Sequence, residues 1–467
     1  MVFSSLLFLF LFLPINVFSY YVLGGLKYKN IILIIFSLFF YAWGEPIWVL
    51  LLIFSALIDY INGLFIEYYR GKKIAQIGIY STLFFNLGIL GLFKYSAFFI
   101  NNANALFSLN IESFKYELPI GISFYTFQTI SYTIDVYYGR VKAQKSFLNF
   151  LMYVSLYPQL VAGPIVRYSH IAREINERRF NWADFNAGVV RFCIGLFKKV
   201  AIANVAGSLC TPLLDSDLST LSVGGAWWGL LLFSLQIYFD FSGYSDMAIG
   251  LGRMFGFHFH ENFRYPYLSA SITDFWRRWH ISLGSFFRDY VYIPLGGNKS
   301  NIVRNLFVVW ALTGFWHGAS WNFILWGLYF GLIILLEKLF IAQLLQKLPH
   351  IARHIYALFL IIFGWALFYF TGLERLWWFI KILFGATQNE VWNLETLLSV
   401  TENIYWLILA VVLCFPCYHW LQNMAEKHVK YLPIYHYFLA ALSLLLFIVS
   451  VTLLVGSTYN PFLYFRF

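Results

Sequence analysis

Residues 302–341 read IVRNLFVVWALTGFWHGASWNFILWGLYFGLIILLEKLFI, and this stretch decides the class of the molecule. A helix that crosses a bilayer needs roughly 20 apolar residues. The stretch is long enough for two such helices or one broken helix, with Gly318, Ala319 and Ser320 as the natural place to bend. Between Arg304 and Glu337 its only acidic, basic or histidine residue is His317. The same composition holds over all 467 residues: 60% are hydrophobic, 22% aromatic and only 12% charged. A soluble domain carries about twice that share of charge, so a water-soluble fold could not hide the apolar surface. The expectation is an all-α polytopic membrane protein.

Further apolar stretches lie at 2–22, 30–56, 76–107, 118–138, 147–165, 186–213, 223–251, 354–371, 404–421 and 432–456. No polar block between them is large enough for a separate domain, so residues 1–467 read as one integral membrane domain. The first stretch has no basic residue before its apolar core and no small-residue cleavage site after it, which reads as a retained span rather than a signal peptide. Short cytoplasmic loops carry the excess of lysine and arginine. Lys27 and Lys29 follow the first span and Lys427 and Lys430 precede the last, with only Arg466 beyond it. Both termini are therefore expected on the outer face, with an even number of crossings. The net charge of +10 follows from the same rule and gives no reason to expect nucleic acid. Cys414 and Cys417 form a CxxC inside an apolar run without further ligands at zinc spacing, so neither a metal nor a disulfide framework is expected.

Polar groups are costly in hydrocarbon unless buried in protein or lining a cavity, and in this chain they concentrate between about 155 and 325. Residues 165–181, IVRYSHIAREINERRFN, suit a helix lying along an interface; Arg167 and its neighbours either anchor it or form a mouth for a polyanionic donor such as a coenzyme A ester. Residues 236–256 place Asp240 and Asp246 in an otherwise apolar segment, where a carboxylate is either functional or paired with an arginine. Gly250, Gly252 and Gly256 there lack nucleotide-binding spacing and fit close helix packing. Residues 265–299 are too polar for a span and too aromatic for an ordinary loop, which suggests short helices in the interface or re-entering the bilayer; Arg277, Arg278 and His280 lie within it. His280 read alone is either a hydrogen-bonded structural residue or a functional one. His317, poised between neutral and charged forms near neutral pH, can take a proton from a hydroxyl nucleophile.

The combination of VAGPIVRYSHI (161–171), YFDFSGYSDMAIGLGRMFGF (238–257), NFRYPYLSASITDFWRRWHISLGSFFRDYVYIPLGG (262–297) and LTGFWHGASWNFILWG (312–327) resembles the membrane-bound O-acyltransferase family. Within it the chain looks like the bacterial branch of alginate and peptidoglycan O-acetyltransferase membrane subunits. The resemblance implies a helical bundle with a thinned centre and a tunnel for acyl transfer. It implies that His317, in the family's Trp316-His317-Gly318 context, is catalytic, and that His280 in WRRWHISLG is its partner. The 262–327 segment carries both. Substrate-binding candidates are Trp316, Asp240, Asp246, Arg167, Arg277 and Arg278. The ending PFLYFRF (461–467) reads either as an aromatic interface anchor or, by its resemblance to the FxYxxF ending of such transfer systems, as an outer-face tail (459–467) in which Tyr464 carries the acyl group.

These readings imply a multi-pass protein of the bacterial inner membrane. It would take an acetyl group from cytosolic acetyl-CoA, a substrate rather than a bound cofactor, to an outer-face hydroxyl. A separate periplasmic O-acetyltransferase would complete delivery to a polysaccharide. The alternative of another class is a transporter or flippase that uses Asp240, Asp246 and the histidines as a proton path.

Overall fold

The computed structural model describes residues 1–113, 117–161, 163–427, 432–456 and 462–463. Every regular element among them is helical, as the apolar periodicity requires, because a spanning segment must satisfy its own backbone hydrogen bonds. Among the described residues five helices are long and apolar enough to cross a membrane: Trp48–Tyr68, Ala75–Phe107, Trp321–Lys347, His350–Tyr369 and Pro433–Val455. A sixth span is available if Leu394–Glu402 and Ile404–Leu413, bent by 59°, cross together.

Several of the apolar stretches are broken where the sequence supplies a reason. The 302–341 stretch folds as two helices, Ile302–His317 and Trp321–Leu336, that separate at Gly318-Ala319-Ser320. The 147–165 stretch breaks between Phe147–Ser155 and Tyr157–Leu160, where Pro158 interrupts the backbone ladder. The 165–181 segment contains the expected amphipathic helix, Tyr168–Glu177, which buries Tyr168, Ile171 and Ile175 while Arg173 is exposed. The 265–299 segment forms the expected short helices, Ile272–Arg278 and Ile281–Phe287.

The chain divides into two compact units, residues 1–192 with 244–260, and residues 193–243 with 261–467. In the first, Trp48–Tyr68, Ala75–Leu90 and Ile122–Tyr137 pack together around a polar knot. Asp59 is fully buried and accepts from Thr82 Oγ1 and Asn86 Nδ2, both at 2.8 Å. Also in this unit, a Cβ on Gly250 would lie 2.6 Å from the Gly188 carbonyl oxygen, so the two backbones touch. Gly256 has φ +80°, a conformation that favours glycine, and it ends the helix.

The second unit is built around an aromatic core that includes Tyr238, Tyr267, Phe275, Trp279, Trp326, Phe330, Trp365 and Phe368. Lipid offers no hydrophobic advantage to association, so close van der Waals packing must hold such helices together. The hairpin of Ile302–His317 and Trp321–Leu336 achieves this through glycine. A Cβ on Gly327 would strike the Trp310 carbonyl oxygen, and one on Gly331 would lie 2.8 Å from Trp310 Cβ.

Candidate active site

His317 is the last residue of its helix. The following Gly318 is extended, and the chain turns through Ala319 and Ser320 into the next helix. Asn322, at the start of that helix, donates through Nδ2 to the carbonyls of Leu367 (3.2 Å) and Phe368 (3.3 Å), which ties the turn to the His350–Tyr369 helix. His317 is 6% exposed. Its ring centroid lies 4.9 Å from that of Trp326, 5.0 Å from Trp316 and 5.4 Å from Phe368. A histidine enclosed by aromatic rings sits in a medium of low polarity, where it can exchange a proton with a bound hydroxyl without competition from water.

His317 lines a pocket together with Ile237, Asp240, Phe241, Trp279, Trp326, Trp365, Phe368, Phe462 and Leu463. The walls are aromatic and aliphatic, and Asp240 and His317 are the ionisable groups on them. Asp240 is buried on the long Val223–Met254 helix and pairs with Lys199 Nζ at 2.6 Å. Lys199 lies on a π-helical turn, Lys198–Asn204, a distortion frequent at functional sites. The second carboxylate oxygen of Asp240 accepts the Leu463 N–H at 2.7 Å.

His280 is placed by a separate device. Ile272–Arg278 is capped by Ser271, whose hydroxyl accepts the Asp274 N–H (3.0 Å), and by the buried carboxylate of Glu337, which accepts the N–H groups of Ile272 (2.7 Å) and Thr273 (2.8 Å). Anions are favoured at that end of a helix. After the extended Trp279, His280 takes φ +44°, uncommon for a residue other than glycine and characteristic of constrained sites. Asn262 Oδ1 accepts from Ser282 N (3.1 Å) and Ser282 Oγ (2.9 Å), so it is the acceptor end of that amide. His280 Nδ1, 3.3 Å from the same oxygen, is by this network the protonated nitrogen. Nε2 is buried and has no hydrogen-bond partner among the described residues. His280 lies outside the long spans, and burial lowers its pKa, so the ring is neutral. The Trp316 ring contacts both histidines, with centroids 5.9 Å from His280 and 5.0 Å from His317.

The other sequence candidates fall elsewhere. Arg277 is exposed, and Arg278 pairs with Asp274 at 2.9 Å one helical turn away. In the first unit Asp246 forms a 2.6 Å ion pair with Arg191, while Arg167 is half-buried at the start of the amphipathic helix. Tyr464 lies outside the described residues. Sequence reasoning missed Lys199, Asn262 and Glu337. Lys199 carried a signal, a lysine inside the 186–213 apolar stretch, whereas Asn262 and Glu337 act on partners 18 and 65 residues away and leave no local mark.

Comparison with known proteins places the chain in a family. Residues 140–379 match the profile of MBOAT, the membrane-bound O-acyltransferase family. The chain is 37% identical over 488 residues to a probable alginate O-acetylase AlgI of Pseudomonas putida, covering 100% of both chains. It is 40% identical over 405 residues to the corresponding protein of Pseudomonas aeruginosa, covering 85% of this chain and 77% of the relative. It is 36% identical over 372 residues to a peptidoglycan O-acetyltransferase of Helicobacter pylori, covering 72% and 70%. With its apolar spanning helices and these matches, the chain belongs to the membrane-bound O-acyltransferase family and is a multi-pass membrane acyltransferase.

Proposed function

We propose that this enzyme moves an acetyl group from acetyl-CoA on the cytosolic side of the bacterial inner membrane to a hydroxyl on the outer side, for O-acetylation of an envelope polysaccharide such as alginate or peptidoglycan. The relatives named for those two activities support the reaction and the class of final acceptor. The observation that carries the reading is the cavity in which His317 meets Phe462 and Leu463. An anchoring tail belongs at the lipid interface. A tail that presents an acceptor belongs in the catalytic cavity, and the residue after Leu463 is Tyr464.

In this mechanism His317 removes the proton from the acceptor hydroxyl as its oxygen attacks the thioester carbonyl. The tetrahedral intermediate collapses with expulsion of the coenzyme A thiolate, which takes the proton back from His317. His280, neutral and with Nδ1 engaged by Asn262, orients His317 through the shared Trp316 or directs the carbonyl. If Tyr464 is the acceptor, the product is a phenolic ester, whose good leaving group keeps it reactive for a second transfer. A separate periplasmic transferase would carry out that second step. The transporter alternative needed Asp240 and Asp246 as a proton path, but family membership and the ion pairs at both carboxylates favour the acyltransferase.

The test is incubation of purified protein with labelled acetyl-CoA followed by intact-mass analysis of the C-terminal peptide. An added acetyl group in the parent and none in Tyr464→Phe supports the reading. Acetylation of the final polysaccharide at full rate by Tyr464→Phe reduces the tail to an anchor and implies direct transfer to another hydroxyl.

A further inference from the structure

The Lys199–Asp240 pair is a buried pair of opposite charges inside the second unit. Both side chains are almost wholly buried, 4% and 3% exposed, and taking two charges out of water costs more than a well-packed apolar pair would. What distinguishes the pair is what it faces. Asp240 lines the His317 cavity, and its free oxygen accepts the Leu463 N–H from 223 residues further along the chain. The Lys199 ammonium lies 5.9 Å from the centroid of the Phe462 ring, within range of cation–π attraction. Both groups therefore converge on a two-residue segment whose side chains are each 6% exposed.

We propose that the Lys199–Asp240 ion pair is the docking site for this chain's own carboxy-terminal segment, with Asp240 as a positioning residue that fixes the segment's register in the His317 cavity. The inference rests on the carrier reading of Tyr464 for its purpose, although docking itself does not depend on the tyrosine hydroxyl. Apolar burial of Phe462 and Leu463 draws the segment in but is indifferent to small slips. The single directional bond from Leu463 N–H to a carboxylate is not. A slip that gave Asp240 the N–H of Tyr464 would put Phe465, which has no hydroxyl, at the next position. Lys199, 2.6 Å from the other oxygen, holds the carboxylate in place for that bond.

The experiment uses the full chain with a photoreactive benzoylphenylalanine at position 462, irradiated and mapped by mass spectrometry. Cross-links to peptides containing Ile237–Phe241 and Trp365–Phe368 are expected in the parent. Leu463→Pro deletes the donor but leaves the ion pair intact, and should lower cross-link yield roughly tenfold, the loss expected for one hydrogen bond. The swapped pair, Lys199→Asp with Asp240→Lys, retains opposite charges but presents an ammonium where the acceptor stood. A purely structural pair would be restored by the swap in both melting temperature and cross-link, whereas a dock is restored in melting temperature alone. Parent-like cross-linking by Leu463→Pro overturns the proposal, and so does full recovery in the swap; if the swap fails to fold, Leu463→Pro decides. Tyr464→Phe separates this inference from the carrier reading. It should cross-link as the parent does, so normal polysaccharide acetylation by that variant would sink the carrier and leave the dock standing. Absence of cross-links in the parent would sink the dock whatever the acetylation.

Discussion

His317 stands out in the sequence because no other acidic, basic or histidine residue lies between Arg304 and Glu337. In the fold three aromatic rings pack around it, and it lines the same pocket as Asp240, Phe462 and Leu463. If His317 is the proposed general base, acyl transfer by His317→Ala should fall by roughly 10²–10⁴-fold in a protein that still folds and inserts; near-normal turnover in a labelled acetyl-CoA assay would sink the assignment. His280 read alone was either structural or functional, and its setting was not legible, because the sequence gives no hint that Asn262 Oδ1 collects Ser282 and His280 together. Asn262→Ala releases that network and leaves His280 at a constrained φ without its partner. The expected outcome is a loss of turnover larger than the loss of thermal stability, with His317 untouched. A variant with parental kcat would make Asn262 a loop-stabilising residue only. Lys199 shows the limit of reading polarity alone, since the lysine and Asp240 are 41 positions apart and only the folded helices make them a pair.

At the scale of elements, the breaks were easier to read than the contacts. The turn at Gly318-Ala319-Ser320 and the short helices of 265–299 follow from local composition, since glycine, serine and charge interrupt an apolar run wherever they fall. The cap on Ile272–Arg278 does not, because Glu337 reaches it from the helix that continues Trp321–Leu336. The hairpin itself depends on Gly327 lying against the Trp310 carbonyl. Gly327→Ala puts a methyl group against backbone rather than a movable side chain, so the two helices must separate. Overpacking of this kind costs about 1–3 kcal/mol, and the same shift would move His317 away from Trp326. The variant should melt earlier and lose activity together, as measured by detergent-phase thermal unfolding and acetyl transfer on one preparation. Parental stability would mean that the hairpin has room the structure does not reveal.

At the scale of the whole molecule, the class was legible because 60% apolar residues leave no soluble solution, whereas the number of crossings was not. Against eleven apolar stretches, the described residues hold five helices long and apolar enough to cross, with a sixth span if the bent 394–413 pair crosses as one, and the shorter Phe8–Val22 helix adds a further choice. Counting helices therefore cannot give the parity, but charge can. Lys27 and Lys29 flank the first apolar stretch on one side, and Lys427 and Lys430 stand before the last. If both lysine pairs face the cytosol, both ends of the chain face outward. A carrier at Tyr464 requires this arrangement, since an acyl group delivered to a cytosolic tail would have to cross again. The measurement replaces Cys193, Cys210, Cys414 and Cys417, none of them in a disulfide, and then introduces single cysteines at positions 1 and 467 in turn. Both should react with a membrane-impermeant thiol reagent in intact cells whose outer membrane admits it. Labelling at 467 only after the inner membrane is permeabilised would put the tail in the cytosol. In that case a docked 462–463 segment could no longer present an acceptor for export, and its place beside His317 would have to be explained as closure of the cytosolic end of the cavity.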